Sequence, residues 1–178
     1  GALTFFATVS LYFMARFGKT QQMPWFYASF AAMGLTVLSK EGGIMLFGAI
    51  YVFVALYGSV KIRHLFIASI VFITVVSPYP ISIKFSGKSA TGEQFLAWQL
   101  FRRANHAWTF YISEVPPAMG VLVVLAAGLT LWAFRKKTTW RETLLVPWIL
   151  VPFVFFQLWP VKGYQYLLPL APPIIILA

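Results

Sequence analysis

Seven stretches of this chain, 1–15, 24–39, 43–60, 65–83, 116–134, 143–159 and 164–178, contain no Asp, Glu, Lys or Arg. That constrains the fold more than any other feature. A helix needs about 20 apolar residues to cross a bilayer, and in hydrocarbon every backbone polar group must be satisfied within the segment. The charge-free stretches therefore predict an all-α fold, a polytopic bundle of about seven transmembrane helices in a single membrane domain. The composition agrees: 60% of the 178 residues are apolar and 10% charged. A soluble domain of this size usually carries 45–50% apolar residues and about a quarter charged. One small aqueous core cannot enclose 18 Phe, 7 Trp and 8 Tyr. Lipid is the expected solvent. The second stretch, 24–39, is short for a bilayer and implies local thinning or little tilt.

The polar breaks between stretches carry a net charge of +10. A basic chain can bind nucleic acid, but in a membrane chain the excess is read as loop charge, and no nucleic-acid partner is expected. Breaks after the first, third and fifth stretches hold Arg16, Lys19, Lys61, Arg63, Arg135, Lys136, Lys137 and Arg141. The others hold Lys40, Lys84, Lys88, Arg102, Arg103 and Lys162, spread over a longer length of chain. The positive-inside rule puts the first set in the cytoplasm. Three segments then share the outer face: Ser39–Gly43, the 84–115 loop, and Trp159–Tyr166. Within the loop, Ala97, Phe101, Ala104, Trp108 and Tyr111 recur at helical spacing, which predicts an amphipathic interfacial helix over 93–112 that Pro116–Pro117 ends. The chain begins and ends inside apolar stretches, so the sequence reads as a fragment of a longer protein.

Candidate binding residues come from that outer face. Lys40 and Glu41 occupy a tight turn between two stretches, where ions are expensive to keep without a use. A phosphate bound by Lys40, with Glu41 orienting it, is one reading; a snorkelling Lys with a local ion pair is the other. Arg102 and Arg103 suit bidentate capture of a lipid phosphate, or plain headgroup contact. His106 could shuttle a proton, though an aromatic-rich interface also accommodates a histidine with no such role. Lys162, Tyr164 and Tyr166 stand in a loop shaped by Pro160, Gly163 and Pro169. With no Cys and only two His, 42 positions apart, there is no thiolate site and no clustered metal-ligand motif. The chain has four Glu and no Asp. No phosphate-binding glycine loop of the nucleotide type is present.

Three of these segments carry a family resemblance. Gly34-Leu35-Thr36-Val37-Leu38-Ser39-Lys40-Glu41-Gly42 resembles the "GLAxLTK" or "LSKE" segment of membrane glycosyltransferases of the GT-C fold. Pro78-Tyr79 is similar to their "PWY". Lys162-Gly163-Tyr164-Gln165-Tyr166-Leu167-Leu168-Pro169-Leu170-Ala171-Pro172-Pro173 resembles their "K-x-x-[HRQ]-Y-LLPL-x-PP". The nearest kin by these motifs are the family 39 protein O-mannosyltransferases and the lipid A aminoarabinose transferases. The resemblance implies transfer of a sugar from a polyprenyl- or dolichyl-phosphate carrier to a protein, lipid or glycan acceptor on the outer face of a prokaryotic cell membrane. It implies that Lys40 lies by the donor phosphate, that Lys162 and Tyr166 line the donor cavity, and that Arg102 or Arg103 matches a basic residue of the external loop. It leaves a divalent metal open. The family's catalytic Asp, expected in an earlier external loop, has no counterpart in this sequence, so the piece by itself is expected to be inactive. Two other classes stay in play: a lipid or oligosaccharide flippase, which needs a polar path that these stretches do not provide, and a non-catalytic membrane scaffold, in which Lys40 would be dispensable.

Overall fold

The computed structural model describes residues 1–57, 60–86, 101, 103–134 and 139–178. Among these residues the fold is helical, without strands. The α-helices are α1 (Ala2–Thr20), α2 (Met23–Ser39), α3 (Leu46–Tyr57), α4 (Ile62–Val76), α5 (Pro78–Phe85), α6 (Phe110–Met119), α7 (Val121–Phe134), α8 (Trp140–Leu158) and α9 (Ala171–Leu177). Short 3₁₀ turns cover Glu41–Met45, Tyr164–Tyr166 and Leu168–Leu170. The bundle packs α1 on α2, α2 on α4, α3 on α8, and α9 against α7 and α8.

Local chemistry sets the helix ends. Pro24 opens α2 in its first turn, where a missing N–H is harmless and a fixed φ is useful. Thr139 and Glu142 form a capping box at the start of α8: Glu142 accepts from the Thr139 backbone N–H at 2.8 Å, and Thr139 Oγ1 accepts from the Arg141 N–H at 3.3 Å. Pro116 and Pro117 lie inside α6, and the chain breaks at Gly120 instead, whose φ of +88° is costly for any residue with a Cβ. The expected interfacial helix over 93–112 falls mainly outside the described residues. Arg103–Thr109 forms bends and turns, and Phe110 opens α6.

Small residues bring the helices together. Ser10 and Ser29 are fully buried, and each hydroxyl donates to the other residue's carbonyl, at 2.9 and 3.0 Å, tying α1 to α2. At Gly34 a Cβ would stand 2.8 Å from Val75 Cγ1, so α2 and α4 approach more closely than alanine permits. Around these contacts lies a core of Phe17, Phe26, Phe30, Met33, Phe53 and Trp148.

The outward faces are apolar as well. Ala127 is the one buried side chain among those described on α7, while Leu122 is 81% exposed and Leu129 and Trp132 also face outward. In water this would be a large unpaired apolar patch; in a bilayer it is the lipid-facing surface. By length and composition α8 can cross a membrane. The pairs α4–α5, bent by 42°, and α6–α7, bent by 100°, raise the number to three if each pair is one broken span. Helices α2 and α3, at 17 and 12 residues, are shorter.

Candidate functional site

The turn after α2 follows from its last residues. Thr36 and Ser39 turn their hydroxyls back onto the carbonyls of Ala32 and Leu35, at 2.9 and 2.8 Å. Lys40 leaves the helix in an extended conformation, and the Gly43 N–H returns to the Lys40 carbonyl at 2.9 Å. Gly43 is buried so tightly that a Cβ would stand 2.8 Å from Thr36 Cγ2. A side chain at this position would force Thr36 to shift. The reversal projects the Lys40 ammonium 4.5 Å above the Tyr166 ring. Tyr166 in turn stacks on Phe156, with centroids 4.8 Å apart and planes 20° apart. The cation therefore rests on a two-ring shelf.

Glu41 opens the 3₁₀ turn and is exposed. Among the described residues neither Lys40 nor Glu41 makes an ion pair or a side-chain hydrogen bond. The local ion pair that would make this dipeptide unremarkable is not formed. A ring face attracts an ammonium without hydrogen-bonding its N–H groups in the way an oxygen acceptor does, so the three N–H donors of Lys40 have no oxygen acceptor among the described residues.

Lys162 behaves differently. It is 5% exposed, and its ammonium donates to the carbonyls of Gln157 at 2.6 Å and Trp159 at 3.4 Å. These belong to the end of α8, where helix carbonyls lack intrahelical partners. The rings of Trp108 and Tyr111 lie 5.3 and 5.4 Å from the same ammonium. Burial pulls its pKa below the ordinary lysine value. The loop around it is tied from both sides. The Asn105 amide donates to the Lys162 carbonyl at 2.9 Å and accepts from its N–H at 2.8 Å. The Tyr111 hydroxyl donates to the Gly163 carbonyl at 3.2 Å and accepts from its N–H at 2.9 Å.

Beside this loop the Tyr164 hydroxyl donates to Glu114 Oε2 at 2.7 Å, and the Tyr164 ring packs on Phe110, which also stacks under His106 at 4.2 Å. His106 and Arg103 are exposed. Arg102 lies outside the described residues. Below the Tyr164–Glu114 pair opens a cleft of about 100 Å³ walled by Val115, Met119, Leu167 and Ala171. It shares Val115, Leu170 and Ile174 with a groove of about 250 Å³ that runs on between α7, α8 and α9. A polar mouth thus leads into an apolar trough.

The structure unites Lys40 with Tyr166, and Lys162 with the loop that presents Tyr164. The 3₁₀ turn, closed by the Tyr166 N–H on the Gly163 carbonyl at 3.2 Å, joins the two groups. Sequence reading missed Asn105, Trp108, Tyr111, Glu114, Phe156 and Gln157. Gln157 carried a usable signal, as the sole amide in the 143–159 stretch, where a polar side chain is expensive without a partner. Its Nε2 donates to the Trp108 carbonyl, while its buried Oε1 has no partner. Among the described residues no three His, Cys or acidic side chains converge as metal ligands.

A family model described as dolichyl-phosphate-mannose-protein mannosyltransferase matches residues 1–81. The match takes in α1 to α4 and the Lys40–Glu41 turn, and it supports kinship with membrane glycosyltransferases over that part of the chain. Asn105, Tyr111 and the Lys162–Tyr166 loop lie beyond it. No curated protein matches the chain. No solved structure matches it either.

Proposed function

We propose that the chain forms the donor-binding side of a glycosyltransferase that moves a sugar from a polyprenyl- or dolichyl-phosphate carrier to an acceptor on the outer face of the membrane. The observation that carries the reading is Lys40: a half-buried, un-neutralised ammonium, held over Tyr166 by a glycine turn inside the family-matched part of the chain. Its chemistry fits a phosphate. Lys is a compact point charge with three donors, and the ring shelf fixes its position without competing for its charge. The apolar trough below Tyr164 suits the carrier's hydrocarbon chain.

In the transfer, an acceptor hydroxyl oxygen bonds to the sugar C1 and gives up its proton to a base. The C1–O bond to the carrier breaks, and its electron pair leaves on the phosphate. Negative charge grows on the leaving oxygen, and Lys40 stabilises it there. Lys162 acts one step removed. It fixes the end of α8 and the loop that carries Tyr164 and Tyr166, and so positions the shelf. His106, stacked on the Phe110 ring that packs against Tyr164, and the exposed Arg103 would meet headgroup or acceptor. The base that the family resemblance implies is an Asp, and none of these 178 residues is Asp.

The test is transfer of radiolabelled sugar from polyprenyl phosphate in membranes containing the intact protein. Lys40→Ala is expected to lower transfer by about 10²-fold, the usual effect of deleting one donor to a developing anion, and Lys40→Arg to retain part of it. Unchanged transfer with Lys40→Ala would sink the reading in favour of a scaffold. Net movement of the carrier across the bilayer without sugar transfer would favour a flippase.

A further inference from the structure

The end of the bundle away from the Lys40 turn holds a second groove, of about 400 Å³. Thr8, Tyr12 and Ala15 of α1 form one wall, and Trp140, Arg141 and Leu144 of α8 form the other. The walls meet because Gly18 lies against Trp140; a Cβ at Gly18 would stand 2.7 Å from the indole. Arg16 follows Tyr12, and Lys19 follows Ala15, by four residues each, so both cations continue the α1 wall past the end of the groove. Arg141 closes the opposite wall. Arg141 therefore lines the slot itself, and Arg16 and Lys19 stand about one helical turn beyond its α1 wall.

None of the three makes an ion pair within the described residues, and the charge of Arg141 also acts on the neighbouring Glu142 carboxylate. Arg16 lies over the Trp25 ring at 4.9 Å and Arg141 over the Trp140 ring at 5.7 Å. Glu142, the acidic side chain next to Arg141, is engaged by Thr139 in the capping box. An apolar slot ending in three unpaired cations, beside a Trp and a Tyr of the kind that sit at headgroup level, complements one kind of partner: a molecule with a hydrocarbon tail and an anionic head.

We infer that this groove is a binding site for an anionic phospholipid, with one acyl chain between α1 and α8 and its phosphodiester among Arg16, Lys19 and Arg141. The bilayer lipid here is distinct from the sugar carrier, whose site is at the Lys40 end. Each basic residue near an anionic headgroup contributes about 1 kcal/mol, or about fivefold in affinity. Three such contributions multiply to about 10²-fold for phosphatidylglycerol over phosphatidylcholine, with about tenfold as the floor where they are not fully additive.

The experiment is native mass spectrometry of the intact protein released from micelles containing equal amounts of phosphatidylglycerol and phosphatidylcholine with matched acyl chains. The expected result is retained phosphatidylglycerol in at least about tenfold excess. Arg141→Gln should cut that excess about fivefold, while Lys84→Gln, on the exposed face of α5, should leave it unchanged. Ala15→Trp should fill the slot and release lipid of both kinds. Equal retention of the two lipids would overturn the proposal, as would an Arg141→Gln protein with the wild-type preference. Displacement of phosphatidylglycerol by polyprenyl phosphate would assign the slot to the carrier instead. Arg141 is exposed, so its substitution leaves packing intact and keeps the test decisive even where Ala15→Trp disturbs the fold.

Discussion

Removing the Tyr166 ring tests the shelf under Lys40 directly. Tyr166→Leu deletes two contacts, the ammonium over the ring at 4.5 Å and the stack on Phe156 at 4.8 Å. A cation–π contact at a partly exposed site contributes about 0.5–1 kcal/mol. An aromatic pair contributes about 0.5–1.5 kcal/mol beyond its burial. The expected cost is therefore about 1–2.5 kcal/mol. At about 2–4 °C per kcal/mol for a chain of this size, the midpoint of thermal unfolding falls by roughly 5 °C. Tyr166→Phe keeps both contacts, and the Tyr166 hydroxyl makes no hydrogen bond among the described residues, so this variant should stay within about 0.5 kcal/mol of wild type. A double-mutant cycle isolates the cation term. Lys40→Met and Tyr166→Leu together should cost less than the sum of the two alone, by about 0.5–1 kcal/mol. The assay is thermal unfolding of the detergent-purified protein, followed by near-UV circular dichroism. Strict additivity in the cycle, or a Tyr166→Phe protein as unstable as Tyr166→Leu, would show that Lys40 does not rest on the ring.

Three further outcomes follow from the same structure. Burial holds the Lys162 pKa below the ordinary 10.5, so between its folded value and 10.5 the unfolded chain binds a proton that the folded chain does not. Stability should therefore rise with pH through that window, and the rise should vanish in Lys162→Met when unfolding is measured across alkaline pH. Asn105→Ala should expose the Lys162 amide to hydrogen exchange, and Tyr111→Phe the Gly163 amide, because each of those N–H groups donates to that one side chain; each loss costs about 1–3 kcal/mol where the amide is left buried, and matched protection in wild type and variants would refute the clamp. Gly34→Ala should cost about 1–3 kcal/mol through its clash with Val75, whereas Gly128→Ala, with nothing within 4 Å of its new Cβ, should be neutral or slightly stabilising in the same thermal assay.

The helical character of the chain was legible because seven charge-free stretches leave no cheaper way to satisfy the backbone. The break after Ser39 was legible too, from Lys40-Glu41-Gly42-Gly43, where charge and glycine interrupt two apolar runs. What lay hidden was partner choice. Lys40 and Lys162 read alike as basic residues at membrane edges, yet one holds its charge over a ring and the other closes a helix end. Sequence distance conceals the difference: Tyr166 follows Lys40 by more than a hundred residues, and Asn105 and Tyr111 precede the loop they clamp by 57 and 52. The proline pair misled for a local reason. Pro116–Pro117 is a plausible stop signal, but Gly120 adopts the positive φ that turns the chain.

The bonds between Asn105 and Lys162 also bear on the order of assembly. They close a loop spanning 57 positions, and α7 and α8 lie within it. Such a closure has an entropic cost that grows with the logarithm of loop length, and the bonds repay it only once the intervening helices are packed. During synthesis Asn105 leaves the ribosome well before its partner. The Lys40 turn can fold early, with its neighbours α2 and α3, but Tyr166 reaches it only after α8 is inserted. The shelf is thus completed late, so a chain stalled before α8 would carry the Lys40 ammonium without the ring that holds it.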